Sequence, residues 1–98
     1  MAREKLDKAA LDKALGALDG WLAAADGASI AKTFEFRNFS EAFAFMTRTA
    51  LAAEKMDHHP DLSNVYKTVE VRLNTHDRGG VTELDIELAK RMNKYAGS

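Results

Sequence analysis

The segment TVEVRLNTH, residues 68–76, constrains the fold of this 98-residue sequence more than any other segment. Its apolar and polar residues alternate, a pattern typical of a β-strand that buries one face. The apolar positions that would face the core are Val69, Val71 and Leu73. The same parity places Thr75 on the core side and His76 on the opposite face, at the C-terminal end of the strand.

Other segments have the apolar periodicity of amphipathic helices. The first predicted helix covers about Lys5 to Leu18, the second runs from Phe39 to about Met56, and the third begins after Thr82. The residues expected to form the buried faces of the second and third helices are Phe39, Phe43, Met46, Ala50, Ala53, Leu84, Leu88, Met92 and Tyr95.

Two capping-box patterns support these boundaries. Asn38 is followed three residues later by Glu41, and Thr82 is followed in the same way by Asp85. Pro60 cannot continue the second helix, because proline lacks a backbone N–H and its ring clashes with the preceding turn. The residues just before Pro60 are therefore expected where a long helix gives way to a loop.

Further strands are predicted on both sides of the second helix. In the segment WLAAADGASIAKTFEF, residues 21–36, the pair Asp26-Gly27 predicts a type I′ hairpin turn, whose two central residues both need positive φ. The residues that would share the buried face of the strand beyond this turn are Ile30, Phe34 and Phe36. A short extended piece at Asn64 to Tyr66 precedes the segment 68–76.

The predicted fold is α+β, with the element order α-β-β-α-β-β-α. Hairpin-joined strands pair antiparallel, so we expect two layers: a four-stranded antiparallel sheet with three helices on one face. The length is that of one domain, residues 1–98. Because the core of so short a chain is small, association of copies would supplement its stability.

Composition excludes several classes of function. The formal net charge of −1 provides no basic surface for a phosphate backbone, so we expect no direct binding to nucleic acid. The absence of cysteine removes disulfides, thiolate nucleophiles and sulfur ligands for metals. No apolar run is long enough to span a membrane, and the charged N-terminal segment lacks the apolar stretch of a secretion signal. We therefore expect a cytoplasmic protein with no membrane partner.

Ionisable groups are concentrated in the segment EKMDHHPD, residues 54–61. It contains two adjacent histidines, His58 and His59, while the third histidine of the chain is His76. None of the three fits an apolar stripe, and adjacent histidines cannot share one helical face, so a functional site and a surface or structural role both stay open. All three lie at predicted ends of elements, where side chains can reach a cleft.

Several kinds of chemistry compete for these histidines. Metal binding could combine them with Asp57 and Asp85, but adjacent histidines seldom direct both rings to one ion. Covalent catalysis has no cysteine and no nucleophile elbow to support it. The segment RGGVT, residues 78–82, could hold an anion through backbone N–H groups, but it lacks the long glycine-rich loop of nucleotide binders. General acid–base catalysis is favoured, because the ordinary pKa of histidine, about 6.5, makes both protonation states available near neutrality.

Together these motifs resemble the pterin-4a-carbinolamine dehydratase family. The resemblance rests on EKMDHHPD at 54–61, NVY at 64–66, the valine, leucine, threonine and histidine series from Val69 to His76, and GGVTELD at 79–85. The GW pair at 20–21 and the phenylalanine-rich run from Phe34 to Met46 fit as well. Many members carry tryptophan after the HHP-acid tetrad, where this sequence has Leu62. That difference concerns one wall of the pocket.

The resemblance implies a dehydratase that removes water from 4a-hydroxytetrahydropterin, the product left by aromatic amino-acid hydroxylases, and gives quinonoid dihydropterin. It implies tetrahydropterin recycling without a metal or an organic cofactor, by a homodimer or homotetramer. The residues that the resemblance makes catalytic are His58, His59, His76 and Asp85. Those that it places round the pterin are Glu54, Asp57, Pro60, Asn74, Thr75 and Asp77. Glu54 and Asp85 are the carboxylates that could orient an imidazole or pair with the donor edge of the pterin. Asp85 also has a second interpretation as the capping-box acid of the third helix, and the two roles are compatible.

A second function of a different class stays open. Animal members of this family also serve as a dimerisation cofactor of a homeodomain transcription factor, through helices and not through the pterin pocket. The chain could in the same way be chiefly a protein-binding module. Loss of His58 and His76 separates the two readings, because only catalysis needs their imidazoles. The full set of three histidines favours the enzyme.

Overall fold

The structure, a computed structural model, describes residues 4–97. The first three residues of the charged N-terminal segment and the last residue of the expected 1–98 domain lie outside the described residues. The elements are α1 (Lys8–Gly16), β1 (Leu22–Ala23), β2 (Ile30–Glu35), α2 (Phe39–Met56), β3 (Asp61–Val65), β4 (Thr68–Leu73) and α3 (Glu83–Ala96), with a 3₁₀ turn at His76–Arg78. The predicted α+β class and element order are confirmed.

The four strands form one antiparallel sheet in the order β1-β2-β4-β3. β4 is a central strand, and its alternation predicted its orientation correctly: Val69, Val71 and Leu73 are buried. β3 begins directly after Pro60, three residues earlier than predicted, because its pairing with β4 extends to Asp61 opposite Arg72. None of the helices in the described part of the chain has the length and hydropathy that a bilayer crossing requires.

The two apolar rows of α2 made its buried face hard to predict. The structure buries the row that contains Phe45, whose ring lies 4.7 Å from that of Phe34 and 5.0 Å from that of Phe36. Phe39 and Phe43, which we expected in the core, are 47% and 54% exposed, and Ala50 of the same expected row is exposed as well. That prediction was wrong because both rows have helical spacing, and only docking against the sheet selects one of them.

Local hydrogen bonds explain both ends of α2, whose predicted boundaries are confirmed. At the start, the Asn38 side chain accepts from the backbone N–H of Glu41 at 2.9 Å. At the end, Asp57 adopts a left-handed conformation with φ 52°, and the N–H of His58 donates to the carbonyl of Ala53 at 3.0 Å. This C-terminal motif turns the chain away from the helix axis before Pro60 is reached.

The helix α1 is shorter than predicted at both ends. Asp7, not a residue before Lys5, caps its N-terminus by accepting from the N–H of Ala10 at 2.8 Å. Beyond Gly16 the chain continues in tighter turns, with the N–H of Leu18 donating to the carbonyl of Leu15 at 3.1 Å. The amphipathic pattern extends through these turns because Leu18 is still buried.

The connection between β1 and β2 corrects the hairpin prediction. Gly27 has φ 70°, but Asp26 does not have the positive φ that a type I′ turn requires. The Asp26 side chain instead accepts from the N–H of Ala28 at 2.9 Å, which holds aspartate in a local side-chain turn. The loop therefore spans the residues between Ala23 and Ile30.

Candidate active site

Three chain segments meet at one end of the molecule: the C-terminus of α2, the residues after β4 and the N-terminus of α3. The first ends with His58, the second contains Thr75 and His76, and the third begins at Thr82. The αL turn at Asp57 directs His58 back toward α3, while Thr75, two residues beyond β4, continues the inward parity of that strand. These local features bring polar side chains from distant parts of the sequence into contact.

His58 and Asp85 form a buried pair at this junction. The ring Nε2 of His58 lies 2.5 Å from Oδ1 of Asp85, and the two side chains are 8% and 0% exposed. An imidazole and a carboxylate in contact form a charge-assisted hydrogen bond when the ring is protonated. The pair has the geometry in which a carboxylate holds an imidazole in one orientation.

The second carboxylate oxygen of Asp85 is also fully used. Its Oδ2 accepts from the hydroxyl of Thr75 at 2.9 Å and from the backbone N–H of Thr82 at 2.9 Å. The bond from Thr82 belongs to a capping box at the start of α3, which confirms that part of the prediction. Asp85 thus caps α3 with one oxygen and contacts His58 with the other.

The Thr82 hydroxyl also belongs to this network, although the sequence indicated only its role as a helix cap. Its Oγ1 lies 2.8 Å from Oγ1 of Thr75 and accepts from the N–H of Leu84 at 3.3 Å. Both threonines are buried, at 3% and 0% exposure. The signal that could have found the contact is the polar residue Thr75 at a core-facing position, since a buried hydroxyl needs a partner.

His76 follows Thr75 directly and is exposed. It opens a loop that is closed where the N–H of Thr75 donates to the carbonyl of Gly80 at 2.8 Å. Because Thr75 is anchored to Asp85, the backbone of His76 is fixed within one residue of the buried network. Asp77 lies exposed in the same loop, and Asn74 precedes it half-buried.

The side chain of His59 makes a separate, exposed contact. Its Nε2 lies 2.7 Å from Oε1 of Glu54, and the two side chains are 58% and 79% exposed. This pair borders an open groove of about 530 Å³. The other residues that line the groove are Ala50, Ala53, Pro60, Asp61 and Leu62. Leu62, the residue after the HHP-acid tetrad, is therefore one wall of a groove beside His59.

The structure thus divides the expected site residues into two groups. His58, Thr75 and Asp85 share one buried network, with His76 adjoining it, whereas His59 and Glu54 pair at the surface. Asp57 is exposed at the end of α2. Within residues 4–97, no three histidine, aspartate or glutamate side chains are arranged to hold one metal ion.

Comparison with known proteins identifies the class to which this fold and its histidine site belong. The family model for pterin 4 alpha carbinolamine dehydratase matches residues 4–95. A protein of Mesorhizobium japonicum, provisionally named pterin-4-alpha-carbinolamine dehydratase, is 72% identical over 97 residues, with 99% of each chain covered. A relative from a Chelativorans species with the same provisional name is 59% identical over 96 residues, covering 98% of each chain. The chain belongs to the pterin 4 alpha carbinolamine dehydratase family.

Solved structures show the same fold. A crystal structure from Brucella melitensis, named transcriptional coactivator/pterin dehydratase, has a TM-score of 0.94 and 48% identity, covering 96% of this chain and 100% of that one. A pterin dehydratase-like protein identified as a RuBisCO assembly factor in the alpha-carboxysome has a TM-score of 0.69 and 22% identity, covering 81% of this chain and 92% of that one. The second likeness concerns the fold alone, and activity must be argued from the site.

Proposed function

We propose that this protein catalyses the dehydration of 4a-hydroxytetrahydropterin to quinonoid dihydropterin. The observation that carries the proposal is the buried contact of 2.5 Å between His58 Nε2 and Asp85 Oδ1, beside the loop that carries His76. The family gives the substrate class. The substrate would come from a reaction that leaves a hydroxyl group on C4a, as aromatic amino-acid hydroxylases do, so the protein would act in tetrahydropterin recycling.

The proposed reaction needs one proton donor and one proton acceptor. The C4a–O bond breaks as the hydroxyl group receives a proton and leaves as water. The N5 lone pair forms the new C4a–N5 double bond, and the N5 proton passes to a base. Because the substrate nitrogen expels the leaving group, neither an oxidant nor a metal is needed, and two imidazoles supply both proton transfers.

Position and burial suggest a division of roles among the site residues. His58 and His76 would exchange the two protons, since His58 contacts Asp85 and His76 directly follows Thr75, which donates to Asp85. His59, paired with Glu54 beside the open groove, would position the pterin, together with Asp57, Pro60, Asn74 and Asp77 around the same end of the molecule. Asp85 and Thr75 are too buried to contact the substrate, so they would act through His58.

The direct test is rapid-mixing absorbance spectroscopy with 4a-hydroxytetrahydropterin generated by a hydroxylase. We expect the protein to accelerate dehydration over the rate in buffer, and a chelator to leave the acceleration unchanged. Loss of acceleration on chelation would replace this mechanism with a metal-dependent one. No acceleration by a sample whose folding is verified by circular dichroism would refute the enzymatic function.

The outer face of α2 favours a second, protein-binding function, in which the bound protein is another copy of the chain. Phe39, Phe43 and Leu51 are spaced by multiples of four residues and are 47%, 54% and 69% exposed, and the rings of the two phenylalanines lie 5.8 Å apart. We define these three residues as the α2 ridge. Ridges with this spacing pack into the grooves of a like helix. We propose that the α2 ridge of one copy packs on that of a second copy, giving a homodimer or, with a further interface, a homotetramer.

Sedimentation equilibrium of a Phe43→Lys, Leu51→Lys double variant tests this association. We expect the wild-type chain to sediment as a dimer or tetramer and the double variant as a monomer, because two charges would be desolvated in the interface. Leu22→Lys is the matched control, since Leu22 is 73% exposed but lies on β1. A monomeric wild type at high concentration, or dissociation by Leu22→Lys alone, would contradict the proposal. The name of the Brucella protein also includes transcriptional coactivator. If the α2 ridge of a monomer bound a different protein instead of a second copy, that result would contradict the proposed self-association.

A further inference from the structure

The positions of the hydrogen atoms in the buried network follow from its geometry. The hydroxyl of Thr75 has one proton, and it donates that proton to Oδ2 of Asp85. The contact of 2.8 Å between the two threonine hydroxyls must therefore be donated by Thr82. Thr82 Oγ1 in turn accepts from the N–H of Leu84. Every hydroxyl proton in the network has one assigned acceptor.

This order leaves a single arrangement for the contact between Asp85 and His58. Oδ2 of Asp85 already accepts two hydrogen bonds, from Thr75 and from the N–H of Thr82, so Oδ1 is directed to the imidazole. A carboxylic acid is a stronger acid than an imidazolium, so the proton between such groups belongs to the ring nitrogen. Nε2 of His58 consequently carries a hydrogen and donates it to Oδ1.

The other ring nitrogen of His58 is the one that can meet a substrate. Within residues 4–97, Nδ1 has no hydrogen-bond partner. Among the described residues, only the Thr49 hydroxyl is a side-chain polar atom that is both buried and without a partner. Nδ1 of His58 has no partner among them either, so it is not buried and is open to solvent. We propose that the network holds His58 as the Nε2–H tautomer, that His58 exchanges protons at Nδ1, and that Thr75 and Thr82 are positioning residues. The proton exchange at Nδ1 rests on the proposed dehydratase function, whereas the tautomer does not.

The substitution Asp85→Asn should reverse the tautomer. The backbone N–H of Thr82 can only donate, so it requires the amide oxygen of the asparagine at the position of Oδ2. The amide NH₂ must then face Nε2 of His58, which has to become an acceptor. The ring proton would move to Nδ1 and block the nitrogen that faces the surface. A change from aspartate to asparagine behind a catalytic histidine is known to impose the wrong tautomer in this way.

Long-range ¹H–¹⁵N correlation spectra of the ¹⁵N-labelled full chain report the tautomer directly. We would record a pH series up to about pH 9, above the ordinary pKa of imidazole, and assign His58 from the signals lost in His58→Gln. We expect the Nε2–H tautomer in the wild-type protein and the Nδ1–H tautomer in Asp85→Asn. A wild-type His58 that is neutral with its proton on Nδ1 would overturn the inference without any variant. Retention of the Nε2–H form in a folded Asp85→Asn would also overturn it.

The positioning roles are tested with paired substitutions of the same threonine. Thr75→Val removes one donor to Asp85 at nearly constant volume, whereas Thr75→Ser keeps it. We expect kcat to fall about tenfold in Thr75→Val with little change in KM, equivalent to about 1.4 kcal/mol, and to recover in Thr75→Ser. Thr82→Ala and Thr82→Ser should behave in the same way. Equal losses in the serine and non-hydroxyl variants would contradict the positioning role. If the wild type shows the Nε2–H tautomer but no dehydratase activity, the proposed function fails while the tautomer assignment stands.

Discussion

Replacing His58 and His76 together with alanine is expected to lower kcat/KM for dehydration by about 10²–10⁴-fold, the usual contribution of general acid–base catalysis. The reason is that one imidazole must protonate the leaving hydroxyl and the other must accept the N5 proton. The measurement is the rapid-mixing absorbance assay at neutral pH. Each single variant should lose most of the same activity, because the two proton transfers belong to one reaction and their effects are not additive.

Two comparisons separate lost chemistry from lost folding. His58 is buried, so His58→Gln is made beside His58→Ala, since glutamine can still donate to Asp85 but cannot transfer a proton near neutrality. Arg37→Ala is the distant control: Arg37 precedes the opposite end of α2, a helix of 18 residues that spans about 27 Å. Wild-type rates in a folded His58→Gln, His76→Ala double variant would mean that these imidazoles do not carry the reaction.

Local patterns were sufficient to predict the elements that position the site. The alternation of Val69, Val71 and Leu73 set the parity of β4, which correctly placed Thr75 inside and His76 outside. Side-chain caps set the start of α2 at Asn38 and that of α3 at Thr82. Such features depend on neighbours within a few residues, so a single sequence contains them.

Contacts between residues that are far apart in the sequence leave no local pattern from which they could be predicted. Two rows of α2 have helical spacing, and only the packing of the helix in the folded chain decides that Phe45 is buried and Phe43 is not. In the site, the sequence indicated the histidines and the capping role of Asp85, but not which imidazole Asp85 contacts, because Asp85 and His58 are 27 residues apart. It also assigned Thr82 to the helix cap alone, because its bond to Thr75 depends on how β4 and α3 pack.

Asp85 joins the stability of the fold to the proposed chemistry. One of its oxygens completes the capping box of α3, and the other fixes the ring of His58. The position of α3 and the orientation of the imidazole are therefore set by the same carboxylate. A change at Asp85 that spares the helix cap but reverses the tautomer of His58, such as Asp85→Asn, separates these two roles.

Asp85→Ala is expected to lower the free energy of unfolding by about 3 kcal/mol, because it strands three buried partners: the ring Nε2–H of His58, the hydroxyl of Thr75 and the backbone N–H of Thr82. In a chain of 98 residues such a loss lowers Tm by about 12–24 °C. Urea denaturation followed by circular dichroism measures it, with an unchanged m-value as evidence that the unfolded state is unaffected.

Asp12→Ala is the matched control, since Asp12 pairs with Lys8 at the surface and its loss should cost less than about 0.5 kcal/mol. A double-mutant cycle of Asp85→Ala with His58→Ala should give a coupling of about 1–3 kcal/mol, as expected for groups in direct contact. Equal stability losses in Asp85→Ala and Asp12→Ala, or a coupling near zero, would show that the buried pair does not hold this junction together.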